Sequence, residues 1–145
     1  MNERECAKAM AAVLPHGEAL LEAHLQKWQL WDEQHPVEPL RSKRYAGYDH
    51  RVMLHLFAGD VFTPHLMKCL ETGTDAAPCL RLLERMWQEG NGFVRNVLDV
   101  TILERLSDDQ ALWQAAGRQV SPMFRETVNR VIMPGNSVYA TVRPM

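Results

Sequence analysis

The sequence predicts an all-α fold: a single domain over residues 1–145, built as one compact bundle of about seven short helices. Three observations carry this. Apolar residues recur at steps of three and four through most of the chain, while alternating β-branched runs hardly occur outside residues 137–142. Capping residues, first-turn prolines and stop glycines divide the chain at short intervals. Hydrophobic residues make up 46% and charged residues 23%, enough apolar side chain to build a core. No stretch has the composition of an interdomain linker and no fixed-period repeat is present, although the cadence of short helices suggests stacked hairpins.

The elements follow in order. Residues 3–14 read as a first helix stopped by Pro15. A second covers about 17–33, with Leu20, Leu21, His24, Leu25, Trp28 and Trp31 at helical spacing. Pro36 and Pro39 then break regularity, and an irregular loop is expected over 35–48. Asp49 can cap a third helix carrying Val52, Met53, Leu56 and Phe57, which Gly59-Asp60 ends or bends. Thr63-Pro64 fits a cap and a first-turn proline for the next helix, which Gly73 stops. Asp75 is the expected cap of a helix ending at Gly90. Residues 93–106 are the most apolar segment. Phe93, Val94, Val97, Leu98, Val100, Ile102, Leu103 and Leu106 cover more than one helical face, as in a central helix packed on several sides. Ser107-Asp108-Asp109-Gln110 reads as a capping box, and Ser121-Pro122 opens a last helix running to about Ile132. A tail occupies 134–145.

The formal charge of −2 and the pI of about 6.3 argue against a general nucleic-acid binder, which carries a basic excess. No run is long and apolar enough to span a membrane. The start, Met1-Asn2-Glu3-Arg4-Glu5, lacks the features of a signal peptide. Cys6, Cys69 and Cys79 form an odd set without C-x-x-C spacing, so reduced thiols in the cytoplasm are expected. The histidines, His16, His24, His35, His50, His55 and His65, show no H-E-x-x-H or other ligand spacing, and neither metal nor cofactor is expected. No phosphate loop and no nucleophile elbow is present. Asp99 and Glu104 lie in the apolar segment, where a charge needs a partner. Arg95, four residues before Asp99, is the expected one, which makes a structural pair rather than an acid–base dyad. Every basic residue after Gly73 is Arg: 81, 85, 95, 105, 118, 125, 130 and 143. This is read either as an interaction face or as coding bias. No enzyme activity is expected.

The loop over 35–48 offers the best contact chemistry. Its prolines lower the entropy lost on binding. Tyr45 and Tyr48 supply amphipathic area, and Glu38, Arg41, Lys43 and Arg44 supply charge. These six residues are the expected partner-binding set, weighed against an ordinary surface loop.

The stretch Val94-Arg95-Asn96-Val97-Leu98-Asp99-Val100-Thr101-Ile102-Leu103-Glu104-Arg105-Leu106 resembles one in small all-helical immunity proteins of bacterial polymorphic toxin systems (Rhs, type VI or contact-dependent inhibition). There, Asn is followed by apolar residues around an acidic or polar position, then Leu-Glu-x-Leu. Leu83-Glu84-Arg85-Met86-Trp87-Gln88-Glu89-Gly90-Asn91 is similar to the helix and Gly-Asn turn before it, and the resemblance spans about residues 50–130. It implies a cytoplasmic antitoxin that binds one toxin domain non-covalently and needs no catalytic residues. The competing expectations are a helical adaptor or chaperone for a secreted effector, and a small enzyme or regulator.

Overall fold

Asn2 opens the first helix with a reciprocal cap: its Oδ1 accepts the Glu5 N–H at 2.8 Å while the Glu5 carboxylate accepts the Asn2 N–H at 3.4 Å. The structure, a computed structural model, describes residues 1–34, 49 and 51–145, without the side chains of 31–33. Among the described residues there are seven continuous helices and no strand. Helix α1 spans Glu3–Ala12 and α2 spans Gly17–Gln34. Between them His16 takes a left-handed φ of 55°, and the chain doubles back so closely that a Cβ on Gly17 would stand 1.8 Å from the Ala11 carbonyl oxygen. Only glycine fits there.

Helix α3 runs continuously over 54–72, α4 over Ala77–Glu89, α5 over 92–107, α6 over Gln110–Gln119 and α7 over 122–132. A short 3₁₀ turn, Ser137–Tyr139, precedes the end of the chain. The tail is therefore not a strand, despite its alternating residues. Helix α5 lies at the centre, packed against α1, α3, α4, α6 and the 3₁₀ turn. Around it a continuous apolar core includes Met10, Phe57, Phe62, Leu66, Leu83, Met86, Leu98, Ile102, Leu103 and Trp113. No helix among the described residues is long and apolar enough to cross a membrane.

The tail docks by hydrogen bonds to the helices. Trp113 Nε1 donates to the Arg143 carbonyl at 2.9 Å, and Asn129 binds both the N–H and the carbonyl of Met145. Tyr139 is buried and stacks on Trp113 with ring centroids 6.4 Å apart.

Several boundaries differ from those the sequence suggested. Asp49 does not cap α3. Its N–H donates to the buried Glu3 carboxylate at 2.6 Å, and α3 starts after Met53, whose φ of 49° is left-handed. Ala76 rather than Asp75 holds the cap position of α4. Asp109, not Ser107, caps α6: Asp109 Oδ1 accepts the Leu112 N–H, while the Ser107 hydroxyl turns back to the Glu104 carbonyl. Gly73, with φ 70°, stops α3 as expected.

Gly59-Asp60 and Thr63-Pro64 do not divide α3 either. The helix passes through a π turn, Ala58–Phe62, closed by the Thr63 N–H on the Ala58 carbonyl five residues back. Pro64 has no N–H to give, and its ring would crowd the carbonyl four residues before it in a regular α-helix. Widening the turn next to it accommodates both. A second π turn, Leu98–Leu103, lies in α5, and a third, Val128–Ile132, in α7.

Candidate functional site: a cleft between two π turns

The π turns of α3 and α5 pack against each other. A π turn brings residues five apart onto one face, whereas five residues rotate a regular α-helix roughly 140° beyond a full turn. In α3 this aligns the buried Phe57 and Ala58 with the buried Phe62 and Thr63. In α5 it aligns Val97 and Leu98 with Ile102 and Leu103, all buried. The multi-sided apolar surface expected of α5 is thus largely one face, continued through the widened turn. Val100 falls outside it and is 40% exposed.

On the outer side of the paired turns lies an open cleft of about 530 Å³ lined by Gly59, Asp60, Pro64, Val100, Thr101 and Arg105. Asp60 and Arg105 are exposed and carry opposite charges. Neither side chain has an ion-pair or hydrogen-bond partner among the described residues. Gly59, Pro64 and Val100 contribute uncharged surface between them.

Beside the cleft, His55 ties the two helices together. Its Nδ1 lies 2.6 Å from Thr101 Oγ1 and its Nε2 lies 3.3 Å from Asn96 Nδ2. Burial holds the His55 pKa below the ordinary imidazole value, because a charged ring would lose hydration there. A neutral imidazole has one donor and one acceptor nitrogen, and both are engaged. His55 therefore positions Thr101 and fixes the distance between the walls, with no ring nitrogen left over for proton transfer.

Several other titratable groups join elements. Asp99 does not pair with Arg95. Its Oδ1 accepts from the Tyr139 hydroxyl at 2.8 Å and from Asn136 Nδ2 at 3.3 Å, which anchors the 3₁₀ turn. Burial, then that hydrogen bond, pushes the Tyr139 pKa well above the ordinary phenol value. Arg95 instead donates to the Trp87 carbonyl at 2.8 Å and lies over the Trp87 ring, 5.0 Å from its centroid. Burial pushes Cys6 up to about 12 and Cys79 up to about 11, so both thiols stay protonated. Cys69 lies 3.4 Å from His65 Nε2. Among the described residues no group of three or more His, Cys, Asp or Glu is arranged as metal ligands.

The expected contact set, Glu38, Arg41, Lys43, Arg44, Tyr45 and Tyr48, lies outside the described residues. Sequence spacing alone does not bring the cleft residues together, because the pairing of α3 with α5 is a tertiary fact. One signal was present: apolar pairs spaced by five, Phe57-Ala58 with Phe62 and Val97-Leu98 with Ile102-Leu103, point to π turns.

A family model described as a domain of unknown function (DUF7674) matches residues 37–133, more than half of the chain. No curated protein and no solved structure matches it.

Proposed function

We propose, from the premise that this chain belongs to the DUF7674 family, that it is an immunity protein: a cytoplasmic antitoxin that binds a cognate toxin domain and neutralises it by non-covalent complex formation. The observation that carries this reading is helix α5. Its stretch over 94–106 resembles that of polymorphic-toxin immunity proteins. The inward residues of that stretch build the core, while Val100, Thr101 and Arg105 face an open cleft. This is the division of labour of a binding module: a rigid helical frame on one side and accessible mixed chemistry on the other. The engagement of Asp99, Glu3, Glu84 and His55 in ties between elements supports the same reading. On their chemistry, Arg41, Arg44, Tyr45 and Tyr48 are proposed as further contacts.

A second reading, a helical adaptor for a secreted effector, draws on Met123, Val131 and Val138, each more than half exposed near the end of the chain. Co-expression with the gene immediately upstream, which the immunity reading expects to encode the toxin, separates the two. The immunity reading expects survival of cells carrying both genes and a stable complex of the purified proteins. Absence of both protection and binding overturns it and favours the adaptor.

A further inference from the structure

Gly59 stands inside α3 without a reason internal to the fold. Its φ is not in the left-handed region that favours glycine. A Cβ built there would meet only Thr101 Cγ2, at 3.5 Å, an ordinary van der Waals contact. Glycine inside a helix is destabilising relative to alanine, so neither backbone nor packing accounts for it. What a larger side chain at position 59 would occupy is the cleft. Asp60 follows on the same π turn and Arg105 borders the cleft from α5, both exposed and both without a partner among the described residues.

We infer that this cleft is where the partner protein docks, and that it receives a turn of the toxin domain bringing a carboxylate to Arg105 and a basic side chain to Asp60. The inference rests on the immunity reading and names its contact surface. Charge complementarity specifies the occupant. A uniformly anionic ligand such as nucleic acid would meet Asp60 unfavourably, and a uniformly cationic one would meet Arg105 unfavourably. The guanidinium offers a planar fork that suits a carboxylate. Val100 and Pro64 provide uncharged surface whose burial would shield the two charge pairs from water. The His55 bonds to Thr101 and Asn96 hold the walls in place before binding, which lowers the ordering cost. The absent side chain at Gly59 leaves room for the incoming turn.

The test is calorimetric affinity for the purified toxin domain that the immunity reading expects to be encoded next to the gene, with a thermal melt of each variant. Arg105→Glu and Asp60→Lys should each weaken binding by about tenfold or more. Gly59→Phe, which fills the cleft, should do the same without lowering the melting temperature. The double exchange Asp60→Arg with Arg105→Asp preserves net charge but reverses the pattern, and should remain weak. Affinity of the single variants equal to that of the unmodified protein overturns the docking assignment and leaves the immunity reading standing. Recovery of full affinity by the double exchange also overturns it, because net charge rather than the cleft would then govern binding. No binding by the unmodified protein overturns the immunity reading and this assignment with it. Should Gly59→Phe destabilise the fold, Arg105→Gln and Asp60→Asn decide, since neither loses a described partner.

Discussion

Gly59 and Gly73 sit in the same helix region and should respond in opposite ways to alanine. Gly73 ends α3 in the left-handed conformation, with φ 70°, which an L side chain adopts only with strain. Gly59 has no such need and has room for a methyl group. Gly73→Ala should therefore cost about 1 kcal/mol, and Gly59→Ala should stabilise by roughly 0.5–1 kcal/mol. Urea titration of the two variants checks both signs, and a destabilised Gly59→Ala would contradict the account of that position. His55 makes a pH prediction. Its folded pKa lies below the unfolded value of 6.5, so the unfolded chain binds the proton more readily. Its neutral ring imposes no penalty well above pH 6.5. As pH falls below that value, stability drops progressively until the folded pKa is passed. Melting temperatures between pH 7.5 and about pH 5 should decline less for His55→Gln than for the unmodified protein; equal slopes would exclude His55 as a source.

The helices start and stop by local chemistry, and the displaced caps are informative. Asp109 and Ser121 accept the Leu112 and Phe124 amides, so each caps its helix. Asp109→Ala and Ser121→Ala should each cost about 1 kcal/mol. Asp75 is exposed and lies before Ala76, which holds the cap position of α4. Asp75→Ala should therefore stay within about 0.5 kcal/mol of the unmodified protein. Chemical denaturation of the three variants distinguishes real caps from residues that merely have capping chemistry. The π turns act at the same level. In α3 the turn carries the helix past Pro64, and in α5 it keeps Ile102 and Leu103 facing the same core as Val97 and Leu98.

Packing around α5 joins these helices into one core. Leu98 and Leu103 are fully buried in it, so Leu98→Ala or Leu103→Ala should leave a cavity and cost roughly 2–5 kcal/mol. A shift in denaturation midpoint without a change in slope would show a simple loss of stability. A near-neutral result would mean that the central position assigned to α5 is wrong. The two ends of the described chain support the same core. Glu3 of α1 reaches the Asp49 amide and Asn91 Nδ2, and the tail pairs with Trp113 and Asn129.

The all-α class and the position of most helices could be read from the residues alone. Apolar periodicity, Ser121 and Gly73 act within a turn or two of themselves, and such short-range physics is written directly in the chain. The partners of Asp49, Asp99 and Arg95 could not be read in that way. Asp99 has a plausible arginine four residues away, yet a tyrosine 40 residues on takes it, because burial rewards a hydrogen bond inside the assembled core more than an exposed helical pair. The continuity of α3 across Gly59 and Pro64 was likewise decided by packing, since a π turn is sustained by the neighbours that its realigned face buries. The cleft belongs to the same category. Asp60 and Arg105 are 45 residues apart in sequence, and only the docking of α3 on α5 brings their opposite charges to one opening.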